Sequence, residues 1–308
     1  GTKLRRARGM RAGVVAGIDW GGGRNAYRWS GVPGAEIRGV GRASDINDAS
    51  VMEERAITED AMALGEADLV DVVVEATGLP DVGARTAYHA IMHGKHVVMA
   101  NVEADVVVGP ILRRMADAAG VVYTLVDGDQ PGVTMNMVEW ARTLGFEIVA
   151  AGRGTTLYED DPQGTPGSVM DRFGFDADTL VRRSINLKMF NSFRDGTKAQ
   201  TEMTALANMA GLVPDVRGMH EPSVNIADIP RGFSREEEGG ILSQHGVVEL
   251  ANSVADGGKT LLENPLNMGV FVVIRAEHPF IQEDLGSYFL HPNANGHNFL
   301  LYRPDHLV

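Results

Sequence analysis

The chain has no cysteine among its 308 residues. Disulfides, thiolate metal sites and cysteine nucleophiles are therefore excluded. No apolar run reaches the ~18 residues that a membrane span needs. The start, "GTKLRRARGMRAG", is basic but has no apolar segment of the kind a signal peptide carries. A cytoplasmic protein is expected. Basic charge is also scarce: 28 Lys and Arg stand against 41 Asp and Glu, for a net charge of −13. That field argues against nucleic acid or an anionic membrane as partner. An anionic small molecule stays open, because local cations can outweigh the global charge.

What is present suits two domains, since 308 residues is long for one core. Short apolar runs recur at 12–18, 35–41, 68–78, 96–100 and 121–126. Runs this apolar fit strands covered on both faces, hence a parallel sheet between helices. Helical patterns separate them. In "PDVGARTAYHAIMHGK", Pro80 suits a first turn, Val82, Ala87 and Ile91 face inward, and Gly94 is a stop. In "GPILRRMADAAG", Pro110 stands near the start and Ile111, Leu112, Met115 and Ala119 form one stripe. The expected fold is α/β: a Rossmann-type doubly wound parallel sheet over 1–135, then an α+β substrate and oligomerisation domain over 136–308. In the second domain a helix is expected at 135–145 and a strand at 146–154. A loop-rich stretch follows. Then come a strand near 185–193, a helix near 198–210, and late strands in "MGVFVVIRAEHP" and "NFLLYRP".

A dinucleotide site needs glycines just after the first strand, for a tight turn and close approach to the pyrophosphate. The frame Gly17–x–Asp19–x–x–Gly22 has the outer glycines but a carboxylate in the middle. The second strand ends in "GVGRAS". Arg42 and Ser44 there suit the 2′-phosphate of NADP rather than the ribose hydroxyls of NAD. Alternatively, Arg42 is a solvated loop arginine. In "EATG", the small residues Ala76, Thr77 and Gly78 would let a nicotinamide ribose lie close, or simply make a strand-to-helix turn. In "HVVMANVEAD", Asn101 and Glu103 follow a strand. Glu103 and Asp105 either cap the next helix or face the substrate.

The blocks "VVVEATGLPDVGARTAYHAIMHGKHVVMANVEADVVVGPILRRMADAAGVVYTLVDGDQPG", "TEMTALANMAGLVPDVRGMH", "EEEGGILSQHGVVE" and "YRPDHL" carry a family resemblance over roughly residues 68–308. The chain resembles the homoserine-dehydrogenase-like oxidoreductases that often carry a C-terminal SAF domain. The resemblance implies NADPH-linked chemistry. The activity characterised in that group is 1-deoxy-D-xylulose-5-phosphate reductoisomerase-like, in isoprenoid precursor biosynthesis. It also implies a missing or processed C-terminal piece after Val308. Homoserine dehydrogenases proper read Ala-Asn-Lys where this chain has Ala100-Asn101-Val102, so homoserine itself is disfavoured as substrate.

Hydride transfer to a ketone needs a donor or cation near the developing alkoxide. Lys198, Glu202 and Asn208 lie on the 198–210 helix, the first two on one face. Lys198 is either proton donor or phosphate clamp. Glu202 is either metal ligand or the orienter of Lys198. A plain surface ion pair is the third reading. Asp127 and Asp129 of "DGDQPG" either hold a divalent ion or serve a turn. His220 and His245 are loop histidines, with His220 the better catalytic candidate. Arg275, Arg303 and Lys188 are possible phosphate partners. The expected protein is a homo-oligomeric NADPH-dependent oxidoreductase of a small hydroxy or keto substrate. A polyol or hydroxy-acid dehydrogenase without rearrangement is the alternative. A non-catalytic cofactor-binding sensor or scaffold is the rival from another class.

Overall fold

The structure is a computed structural model. It describes residues 7–304 except 171–173, 175, 184, 256, 257, 289, 291 and 294. The Asp305–Leu307 end of "YRPDHL" thus lies outside the described residues. The chain divides into two compact units, Gly1–Leu125 and Val126–Val308. The division falls ten residues before the expected boundary. The reason is that the helix Gln130–Thr143 packs on the second unit's sheet, with Val138 and Ala141 in its core.

The first unit is a parallel α/β layer, in the order β1 (Val14–Ala16), α1 (Trp20–Trp29), β2 (Ile37–Gly39), α2 (Ala43–Val51), β3 (Arg55–Thr58), α3 (Met62–Glu66), β4 (Val72–Glu75), α4 (Pro80–Met92), β5 (His96–Met99), α5 (Val102–Ala119) and β6 (Tyr123–Leu125). The strands form two three-stranded sheets, ordered β1-β3-β2 and β4-β5-β6, with every pairing parallel. Two expectations need correction. Strand β3, "RAIT", lacks an apolar run and is not evident in the sequence, yet it is the centre of its sheet. β4 is not covered on both faces: Val73 is buried, whereas Val72 and Val74 are 47% and 57% exposed.

Helix α5 also begins earlier than its proline suggests. Asn101 is its N-cap, with Oδ1 accepting from the Ala104 N–H at 3.1 Å. Such a cap offsets one of the orphaned donors of the first turn. Pro110 therefore lies inside the helix, where it supplies no backbone donor. The buried stripe is Asp105, Gly109, Leu112 and Ala116; of the expected Ile111, Leu112, Met115 and Ala119, only Leu112 is buried. Ile111 is 52% exposed.

The second unit is α+β. It holds α6 (Gln130–Thr143), β7 (Glu147–Thr155), α7 (Ala177–Arg183), α8 (Leu187–Arg194), α9 (Thr197–Ala210), β8 (Val213–Pro214), α10 (Ile229–Gly232), β9 (Val247–Asn252), β10 (Val270–Arg275), α11 (Pro279–Ser287) and β11 (Asn298–Arg303). Its sheet is ordered β11-β10-β7-β9-β8. β7 and β9 run parallel, while β10 is antiparallel to both neighbours. Period-2 alternation, broken in β7 by a bulge at Val149–Ala150, puts Ile148, Ala151, Val248, Leu250, Val272 and Ile274 against α6 and α9. Val149, Val247, Phe271 and Val273 pack against Ile229, Phe233 and Leu242 instead.

The expected strand near 185–193 is helix α8. Alternating Ile185, Leu187 and Met189 suggest a strand, but Asn186 caps the helix by accepting from Met189 N–H. The capping preference of asparagine decides the local structure there.

Candidate functional site

The first unit presents its candidate cofactor residues at strand ends. Gly17 follows β1 and donates its N–H to the Thr58 carbonyl at 3.0 Å. A Cβ at Gly17 would meet nothing within 4 Å, so the backbone is open to close approach. Asp19 is the N-cap of α1. Its carboxylate accepts from the N–H groups of Gly21 and Gly22, both at 2.9 Å. These are the donors that a helix N-terminus would offer a phosphate. Asp19 therefore occupies that position with its own charge. Arg42 caps α2 and its side chain is 80% exposed, loosely paired with Asp45 at 3.4 Å. Ser44 lies exposed in the same first turn.

At the carboxyl ends of β4 and β5 the structure joins Thr77 and Asn101. Asn101 Nδ2 donates to the Leu79 carbonyl at 3.0 Å and toward Thr77 Oγ1 at 3.4 Å. Gly78 has φ +67°, the left-handed region that glycine adopts freely. Ala76 is exposed beside it, and Glu103 is half-buried in the first turn of α5. Glu75 is a residue that sequence reasoning passed over. It is 2% exposed; Oε1 accepts from Thr77 N–H, and Oε2 is buried without a hydrogen-bond partner. Gly83 makes this cluster possible: a Cβ there would lie 2.5 Å from Asn101 Nδ2 and 2.7 Å from Glu75 Oε2. Asp105 is buried and accepts from Tyr123 Oη at 2.8 Å, and burial pushes its carboxyl up. It serves the helix packing rather than an open face.

These residues fit a dinucleotide at the strand ends, with Asp19 the one feature that opposes it. Asp19→Gly should therefore tighten NADPH binding about tenfold, or about 1.4 kcal/mol. It should cost only a few tenths of a kcal/mol in stability, because glycine is itself an acceptable N-cap. Fluorescence titration of both proteins checks this. Weaker binding in the variant would mean that Asp19 organises the site instead of blocking it.

The second unit holds a charged cleft. Arg153 on β7, Arg194 of α8, and Lys198 of α9 line it, with Thr155, Gly196, Glu221 and Met268. The sequence dictates this locally. Alternation along β7 sends Ala151, Arg153 and Thr155 to one side. Four-residue spacing on α9 puts Lys198, Glu202 and Leu206 on one face. Arg153 and Glu202 are 4% and 2% exposed and form a direct ion pair, Nη1 to Oε2. Burial pushes the Glu202 carboxyl up, against the pull of Arg153; Asp129 pushes it further up, and Lys198 draws it down. The structure thus brings Lys198, Asp129 and Arg153 together around Glu202, and sequence reasoning missed Arg153. Its signal was available: a charge inside the apolar strand "IVAAGRGTT" needs a buried partner.

Glu221 is the second missed residue. Burial raises its carboxyl, and Thr155 Oγ1 donates to it at 2.6 Å. It sits at φ +48°, two residues after Met219 at φ +68°. Strained backbone of this kind persists only where its surroundings hold it. His220 supplies the hold. Its Nδ1 lies 2.7 Å from Glu249 Oε1 and its backbone N–H donates to Oε2 at 3.0 Å. Glu249 is fully buried on β9. His220 is thereby placed as the anchor of the segment that carries Glu221.

The remaining candidates lie elsewhere. Asn208 is exposed on α9, away from Glu202's face. Asp127 Oδ1 accepts from Asn136 Nδ2 at 3.0 Å, and Asp129 caps α6 by accepting from Gln130 N–H. Among the described residues no third His, Cys, Asp or Glu groups with this pair at metal-ligand spacing. The pair fits turn and cap chemistry better than a cation. His245 pairs with Glu147 at 2.9 Å. Arg275 pairs with Glu238 and Glu277. Lys188 and Arg303 are exposed and do not line the cleft.

A parallel α/β unit with open strand ends, followed by an α+β unit with a charged cleft, fits an NAD(P)-linked oxidoreductase. Comparison with protein families agrees. Residues 128–308 match the family described as oxidoreductase DRL, catalytic domain, and the chain belongs to that family. Residues 24–125 match the homoserine dehydrogenase NAD-binding domain. A search of curated proteins finds no match. Among solved structures, the chain is similar to 1-deoxy-D-xylulose 5-phosphate reductoisomerase from Zymomonas mobilis in complex with NADPH. The identity is 15%, over 64% of this chain and 50% of that one, with TM-score 0.36. A homoserine dehydrogenase from Thiobacillus denitrificans is 17% identical over 57% of this chain and 50% of that one, with TM-score 0.35. A putative myo-inositol dehydrogenase from Sinorhizobium meliloti is 10% identical over 87% and 67%, with TM-score 0.42. The chain spans about half the length of the reductoisomerase and of the homoserine dehydrogenase. No helix among the described residues is long and apolar enough to cross a membrane.

Proposed function

We propose that this chain is an NADPH-dependent oxidoreductase that reduces a small, anionic hydroxy or keto substrate, with a sugar phosphate the sharpest candidate. One observation carries the reading. In a chain of net charge −13, the second unit gathers Arg153, Arg194 and Lys198 at one cleft, with Arg153 paired to buried Glu202, Arg194 paired to buried Asp161 and Glu221 also in the lining. Guanidinium and ammonium groups held in place by buried carboxylates offer donors suited to an anionic ligand. Lys198 is assigned to the substrate oxygen that gains charge on hydride transfer, or to the phosphate. The buried Arg153–Glu202 pair sets its surroundings. Burial raises the carboxyls of Glu202 and Glu221, the direction of shift expected of a carboxyl that carries a proton. Arg42 and Ser44 support NADPH over NADH.

Reductoisomerase-like chemistry, in isoprenoid precursor formation, would add a rearrangement before reduction. That step needs a cation to polarise adjacent oxygens. The local engagement of Asp127 and Asp129 favours the second reading, a polyol or hydroxy-acid dehydrogenase without rearrangement. A screen of ketose phosphates, polyols and hydroxy acids, following NADPH oxidation, with and without chelator, separates them. Chelator-sensitive turnover of a ketose phosphate supports the first. Chelator-indifferent turnover of a polyol or hydroxy acid supports the second. Cofactor binding with no turnover on any substrate would favour a sensor or scaffold.

A further inference from the structure

We propose that Glu66, His89 and His93 form a divalent transition-metal site on the first unit, distinct from the cofactor and substrate residues. One ligand atom from each lies within 4.8 Å of the other two. His89 and His93 are four residues apart at the end of α4, so they share a face. Their ring centroids are 4.1 Å apart. His93 Nδ1 sits 2.8 Å from the His89 carbonyl oxygen, so Nδ1 carries the proton. That leaves Nε2 with a bare lone pair, the usual arrangement for a ligating imidazole whose other nitrogen is held by a carbonyl. His89 Nε2 is shielded from solvent and has no hydrogen-bond partner. Glu66 Oε1 is 3.6 Å from it, beyond hydrogen-bond reach. A shielded ring nitrogen that faces a carboxylate and a second imidazole is disposed to ligate a cation.

Gly65 makes the arrangement possible. A Cβ there would come within 2.8 Å of His89 Cδ2, so a larger residue would drive the imidazole away from α3. Ligand atoms around one Zn²⁺ ion stand about 2.0–2.2 Å from it, so small side-chain rotations close the present spacing. Two imidazoles and one carboxylate suit Zn²⁺, with water in the fourth position. The site would have a structural consequence. Glu66 ends α3, which leads out of the β1-β3-β2 sheet, and the histidines end α4, which serves the β4-β5-β6 sheet. The two sheets share no strand pairing. A bound ion would pin them together across the α3–α4 contact.

Titration calorimetry of the tag-free, chelator-stripped full chain with Zn²⁺ tests this. The expected result is one saturable site and a higher unfolding temperature. His93→Ala and Glu66→Gln should each weaken binding at least about tenfold, since even outer-shell changes cost that much. His245→Ala and Asp129→Asn should leave it unchanged. Absence of one-to-one binding, or unchanged binding in a folded His93→Ala, would overturn the proposal. So would loss of binding in Asp129→Asn alone. If His93→Ala does not fold, the Co²⁺ absorption of the unaltered chain decides: visible bands of a four-coordinate ion support the site, and their absence refutes it.

Discussion

Arg153→Met is expected to lower the stability of the chain by about 3–5 kcal/mol, the cost of leaving a buried charge without its partner. The stranded charge is Glu202, 2% exposed and pushed up by burial even with Arg153 beside it. Removing the arginine takes away the pull that opposes burial, so the folded-state pKa rises further. The sign of the pH dependence follows. A carboxyl whose folded pKa lies above its unfolded value of about 4.3 favours the folded state when protonated. That contribution is present at low pH and is lost as pH rises through the folded pKa. The deficit of Arg153→Met should therefore be greatest near neutral pH and shrink on acidification. Urea unfolding at a series of pH values checks both points. A second variant separates chemistry from stability. Replacing the pair together, Arg153→Met with Glu202→Leu, should recover most of the lost stability, because well-packed apolar residues replace buried ion pairs at little cost. It should not recover turnover. A double variant as unstable as the single one would mean that the pair is chiefly structural.

Lys198→Met is expected to reduce turnover about 10²–10⁴-fold, the range that general acid–base groups contribute. Stability should change by less than about 1 kcal/mol, because Lys198 is only half-buried at the cleft, where solvent screens its charge. Lys198→Arg then distinguishes its two roles. Arginine keeps the positive charge and can still hold a phosphate, but it does not give up a proton. Recovery of KM without kcat identifies a proton donor. Recovery of both identifies a phosphate clamp. A Lys198→Met enzyme with unchanged kcat and KM would return the lysine to the surface ion pair that its spacing also allows.

Where the sequence pattern was strong, the fold was legible in it. The valine runs at 70–74 and 97–98 place β4 and β5, and the 3.6-residue period places α4 and α9. What failed did so for local physical reasons. β3 is four residues with one charge, too short to show a period. Ile185, Leu187 and Met189 alternate like a strand, yet one asparagine cap makes them helical. Pro110 looks like a helix start, but Asn101 caps the helix nine residues earlier.

The candidate site divides the same way. Lys198 and Glu202 were legible because their spacing is local. For Arg153 the need for a buried partner was legible in its strand but the partner was not, because Glu202 lies 49 residues away. Glu221 was hidden because its importance rests on a positive φ and on the His220–Glu249 clamp. Asp19 was read as a defect in a glycine motif. Its position before Gly21 and Gly22 is equally that of a helix cap, and the structure gives it that work. The lysine absent at Val102 has a related explanation. Val102 is 1% exposed at the start of α5, and the residue beside it, Asn101, is committed to capping and to the Thr77–Leu79 turn. On the proposed reading the reactive cation comes from the second unit.

The central claim is that the first unit binds a nicotinamide dinucleotide despite Asp19. Fluorescence titration of the unaltered chain with NADPH and NADH tests it most directly. The account predicts saturable binding of NADPH, weaker binding of NADH, and a narrowed difference in Arg42→Ala. Binding of neither cofactor would contradict it.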